Sequence, residues 1–228
     1  MAGGGQAGFG FGSLLEGARK LLNTVTYYTM KDRAGTVGTR GVGPLLDALV
    51  GESRRQGRTV RVHLVGHSFG ARVAAAAALS ATAPVSSVTL LQGAFSHYGF
   101  ADDWDGRGSR GLFQAVPGRL AGPLVVTHTK NDTAVGLAYA IASRLANQVA
   151  AGLGGADDVY GGIGRNGALR TRAVTEPPGR LGAVGTRYAF APGRVTNLLS
   201  DDFIPTHGTV AGREVAAAVL QAMTTATR

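Results

Sequence analysis

The sequence predicts an α/β fold built on a doubly wound, mainly parallel sheet. Three observations carry the prediction. Short apolar runs bounded by Gly, Pro or Ser alternate with segments whose apolar residues recur every three or four positions. Strands separated by helical segments of crossover length lie parallel. The run "RTVRVHLVG" (58–66) passes into an Ala-rich segment across one serine held between two glycines, a strand-to-helix junction at the sheet edge where such folds bind ligands.

Taken in order, residues 1–12 are Gly-rich and read as a flexible leader, and 13–228 as a single domain. Leu14, Ala18, Leu21, Val25 and Tyr28 recur at helical intervals and predict a helix over 13–30, although "TVTYYT" (24–29) is strand-prone by itself. Pro44 suits a first helical turn, so a second short helix is expected from there, with Leu45, Leu46, Leu49 and Val50 inward. A strand over 58–66 and a helix over 71–81 follow. Strands are expected over 85–93, 122–130 and 193–200, and helices over 134–151 and 209–224. Two stretches interrupt the alternation, 94–122 and 151–187, and read as loop insertions long enough to act as functional loops or lids.

Composition narrows the function classes. The chain of 228 residues has no cysteine, which removes thiolate metal sites, disulfide scaffolds and thiol nucleophiles, so a covalent nucleophile must be a hydroxyl. The formal net charge is +9, but the arginines stand dispersed, as at Arg54, Arg107, Arg165 and Arg194, and predict a basic solvated surface rather than a nucleic-acid partner. No apolar run approaches the roughly 20 residues of a membrane span, and the first thirty residues lack a secretory signal pattern, so a cytoplasmic location is expected. "GIGRNG" (162–167) matches the dinucleotide fingerprint only in its letters, because neither a clear strand before it nor a long helix after it supplies the context. It reads as a flexible glycine loop. His63 and His67 are four apart but have no third ligand in evidence, so no metal site and no cofactor are expected.

"GHSFG" places Gly66 and Gly70 two residues either side of Ser68. A nucleophile on a tight turn needs small residues there, because strand and helix run close together. The helix that follows turns the Phe69 N–H toward the oxygen of a tetrahedral intermediate, with the helix N-terminus behind it. The alternative is a glycine-lubricated junction in which Ser68 only caps the helix.

Over residues 58–225 the chain resembles the α/β-hydrolase superfamily of esterases and lipases, on "VHLVGHSFG", the turn "THTKND" and the late histidine of "PTHG". The resemblance implies a triad in the order Ser, acid, His, carried here by Ser68, Asp132 and His207, with Phe69 in the oxyanion hole. Asp132 also has an alternative as the N-cap of the next helix. Only 57 residues precede the elbow strand and they read mainly as helix, so the family's N-terminal strands are reduced or missing, and a second oxyanion donor is unassigned. The implied function is a serine hydrolase cleaving a small-molecule acyl ester; the alternative is a non-catalytic domain of the same fold that binds a partner. Candidate substrate contacts are His67, Phe95, His97 and Tyr98. With Phe100 and Trp104, the aromatics would form a wall for an apolar acyl or aryl group, or else anchor their loop in the core.

Overall fold

The computed structural model describes residues 26, 27, 29–136 and 160–226. The expected leader and most of the helices expected over 13–30 and 134–151 lie outside the described residues. Five strands, β1 (His63–His67), β2 (Ser87–Leu91), β3 (Leu124–His128), β4 (Gly179–Arg180) and β5 (Val195–Leu199), form one sheet in the order β1-β2-β3-β5-β4. Every pairing is parallel. All ten residues of β2 and β3 are buried, the pattern of a parallel sheet covered on both faces.

Alternate strand residues feed two cores. Val88, Leu90, Leu124 and Val126 join the cluster that includes Ala71, Ala74 and Ala75 of helix α2 (Phe69–Ser80). Leu91, Val125 and Leu198 point the other way, onto Val215, Ala218 and Ala222 of helix α4 (Arg213–Thr225). The register pairs His67 with Leu91, Leu91 with Thr127 and His128 with Leu199. The loops carrying Ser68, Asp132 and His207 therefore leave one carboxyl edge of the sheet.

Before β1 the chain is helical over 29–37, passes through a π-turn at Gly38–Val42 and continues as α1 (Gly43–Arg55). The helix expected to begin near Pro44 is thus the continuation of an earlier one, with Pro44 in the first turn after the irregularity. Close crossing explains the glycines: a Cβ on Gly38 would lie 2.5 Å from the Val73 carbonyl oxygen. Leu46 of α1 packs on Ala77 and Ala81. Among the described residues no strand precedes β1, and β1 forms an edge, with Val65 exposed.

The two expected loop insertions each place some of their described residues in the core and leave others exposed. Phe95, Phe100, Phe113, Val116 and Leu120 are buried in the first cluster. "GIGRNG" forms a one-turn helix, α3 (Ile163–Asn166), ended by Gly167 at φ 74°. Gly164 is needed for packing, since a Cβ there would lie 2.5 Å from the Gln92 carbonyl carbon. Gln92, fully buried at φ 44°, ties this turn to the sheet: its Nε2 donates to the Gly164 carbonyl at 3.1 Å and its Oε1 accepts from Thr127 Oγ1 at 2.6 Å. Among the described residues no helix is long and apolar enough to cross a membrane.

Candidate active site

β1 ends at His67, and the next residue, Ser68, takes φ 56°, ψ −121° as the N-cap of α2. L-residues rarely adopt this conformation, which costs on the order of 1–3 kcal/mol and persists only when its surroundings over-determine it. They do so here. The Ser68 N–H donates to the Leu91 carbonyl at 3.1 Å, and its own carbonyl accepts from Ala71 N–H at 3.1 Å and Ala94 N–H at 3.0 Å. Gly66 is sterically obligatory, since a Cβ there would lie 2.2 Å from the Gly70 carbonyl oxygen. Gly70 is not, because a Cβ there meets nothing within 4 Å. Of the two glycines expected to be necessary, one is. Phe69 begins α2, so its N–H is among those a helix leaves without an internal acceptor.

The Ser68 side chain faces His207. His207 Nε2 lies 2.9 Å from Ser68 Oγ, and His207 Nδ1 lies 2.9 Å from Asp132 Oδ2. Asp132 is fully buried, and its other oxygen, Oδ1, accepts the Val135 N–H at 2.9 Å. Asp132 thus faces His207 with one carboxylate oxygen and caps the following helix with the other. With Nδ1–H donated to the carboxylate, Nε2 is left as acceptor for the Ser68 hydroxyl.

Two further groups hold this arrangement. His67 donates from Nε2 to the His207 carbonyl at 2.8 Å, and the two rings lie 4.9 Å apart. Asp201 Oδ1 accepts from Thr129 Oγ1 at 2.7 Å and Lys130 N–H at 2.9 Å, clamping the turn that leads to Asp132. Burial works against the Asp201 carboxylate, but these hydrogen bonds outweigh it and hold its pKa below the usual value.

The other candidates separate. Tyr98 and Trp104 stack at 6.4 Å and, with Phe95, line a cavity of about 330 Å³. Phe100 is fully buried and packs 5.9 Å from Phe95, so it anchors the segment. His97 is also fully buried, with Nδ1 3.0 Å from Asn166 Nδ2, and is out of reach of a substrate. His67 braces the His207 loop rather than lining that cavity. His63 lies 2.8 Å from Ser87 Oγ. Among the described residues no group of three His, Cys, Asp or Glu could hold a metal ion.

Several features escaped the sequence reading. Lys31, Arg72 and Arg110 also line the 330 Å³ cavity. A signal existed for Arg72 alone, the single charge in the Ala-rich run after the elbow. Burial, then the nearby Arg72 charge, pushes the Lys31 pKa down. His128 borders a second cavity of about 560 Å³ with Asn166 and Asn197. It is 8% exposed, and neither ring nitrogen makes a hydrogen bond. Desolvation, then Lys130, lowers its pKa to about 4. Comparison of the chain with protein-family models, curated proteins and solved structures found no match in any of the three.

Proposed function

We propose that the protein is a serine hydrolase of the esterase type, cleaving small-molecule acyl esters through an acyl-enzyme. The observation that supports this reading is the continuous hydrogen-bonded series from Ser68 Oγ through both nitrogens of His207 to the buried Asp132 carboxylate. As Ser68 Oγ attacks the acyl carbon, its proton passes to His207 Nε2, and Asp132 stabilises the imidazolium that forms. The Phe69 N–H donates to the developing oxyanion. His207 then returns the proton to the departing alkoxide. A water deprotonated at the same nitrogen attacks the acyl carbon, releasing the acid and restoring Ser68, so the scheme needs no cofactor.

The test is mass-spectrometric mapping of a fluorophosphonate on the native protein beside Ser68→Ala and heat-denatured controls. Modification at Ser68 that vanishes in both controls is the expected result. A folded protein left unlabelled would overturn the proposal in favour of a non-catalytic binding domain.

A further inference from the structure

The cavity walled by Tyr98 and Trp104 differs from the apolar acyl pocket that the aromatic residues predict. Lys31, Arg72 and Arg110 line it together, and no Asp or Glu stands among its described lining residues. Arg72 is held ready rather than free to swing. Its Nε donates to the Lys31 carbonyl at 2.7 Å, its guanidinium lies 5.6 Å over the Phe113 ring, and its side chain is only 14% exposed. The nearest described acid, Asp32, is 3.9 Å away and largely in solvent, where an ion pair contributes little. Arg110, at the exposed rim, also acts at a distance on Asp102. Arg72 and Arg110, brought to one aromatic wall, repel each other less when an anion joins them, and burial strengthens both effects.

The cavity adjoins the elbow. Arg72 lies four residues after Ser68, about one helical turn or ~6 Å along the axis of α2. Phe95, on the cavity wall, follows Ala94, whose N–H bonds the Ser68 carbonyl at 3.0 Å. Tyr160, which also lines the cavity, packs with Phe69 against Ala94 and Val135. We propose that this cavity binds the anionic end, carboxylate or phosphate, of a substrate whose apolar body lies along the aromatic wall between it and Ser68. The word substrate rests on the esterase reading; anion binding does not.

Trp104 is the protein's one tryptophan and lines the cavity, so its emission reports occupancy. Phenylacetate, phenyl phosphate and neutral 2-phenylethanol are titrated against the Ser68→Ala protein, with Arg72→Gln and Arg110→Gln introduced into it. At least one anion should bind about tenfold or more tightly than the alcohol, and which one does so separates carboxylate from phosphate. Arg72→Gln should weaken that anion by about ten- to a hundredfold, with the alcohol unaffected. Arg110→Gln, at an exposed site that leaves the core untouched, should weaken it by severalfold and so covers the case in which Arg72→Gln does not fold. Equal affinity for anion and alcohol, no binding of any probe, or indifference to Arg110→Gln in the folded protein would overturn the inference. Fluorophosphonate labelling of Ser68 without anion binding defeats the cavity alone, whereas anion binding without labelling defeats the esterase reading alone.

Discussion

His67 and His207, 140 residues apart in the chain, are joined by a hydrogen bond from the His67 ring Nε2 to the His207 carbonyl oxygen at 2.8 Å. The residue beside Ser68 thereby sets the height of the loop that presents His207. On the proposed hydrolase reading, His67→Phe should lower kcat toward an activated ester by about ten- to a hundredfold, because small displacements of a reacting group cost that much. KM should change little, since His67 acts through His207. His67→Gln, which keeps a side-chain donor, should recover part of the loss. Equal effects of Phe and Gln, or an effect on KM alone, would assign His67 to substrate contact instead.

The divided use of Asp132 makes a second prediction. Asp132→Asn can still accept the Val135 N–H through its amide oxygen, but it cannot balance an imidazolium at His207 Nδ1. The proposed esterase activity should fall by about 10³–10⁴-fold. The thermal midpoint should move little, because the cap is retained. Asp132→Ala should lose both, and a circular-dichroism melt separates the two variants. A large drop in midpoint for Asp132→Asn would make the carboxylate chiefly structural.

The two elbow glycines should behave oppositely. Gly66→Ala forces a methyl onto the Gly70 carbonyl, so the junction must open. Loss of Ser68 reactivity and a destabilisation of about 1–3 kcal/mol are expected. Gly70→Ala places its methyl in open space inside α2, where the lower entropy cost of alanine should stabilise by up to about 1 kcal/mol. Urea denaturation of both variants checks the contrast. Similar losses at the two positions would contradict the packing just described.

What could be read beforehand was what local chemistry dictates. The elbow was legible because a strained serine between a strand and a helix demands small neighbours, and Gly66 answers a contact that sequence spacing alone implies. Parallel strands were legible because short apolar runs alternate with segments of helical periodicity, and strands joined by crossovers of that length lie parallel. Helix continuity across Gly38–Val42 was not, because the π-turn there is shaped by the crossing with α2 rather than by its own residues. Nor was the packed state of the turn at Ile163–Asn166, whose Gly164 answers to Gln92, some 70 positions earlier. Lys31, Arg72 and Arg110 are 41 and 38 residues apart and meet only in the folded chain. The bracing of His207 by His67 ends on a backbone carbonyl, which any residue at position 207 would supply, so no residue pattern could mark it.

His128 predicts how stability depends on acid. Its folded pKa of about 4, set first by desolvation and then by Lys130, lies below the roughly 6.5 of an unfolded histidine. Between those values the unfolded chain binds a proton that the folded chain does not. Stability from this residue is therefore complete above pH ~6.5 and is lost as pH falls toward 4, by an amount on the order of 2–3 kcal/mol. His63, whose pKa is drawn down by desolvation and then Arg61, contributes with the same sign, so the informative quantity is the difference between parent and variant. His128→Leu removes two buried ring nitrogens that make no hydrogen bond, and should be neutral or mildly stabilising at pH 7. Urea denaturation at pH 7, 5.5 and 4.5 should show the variant gaining on the parent progressively as pH drops. Parallel stability curves would mean that His128 is solvated or paired in solution and titrates normally.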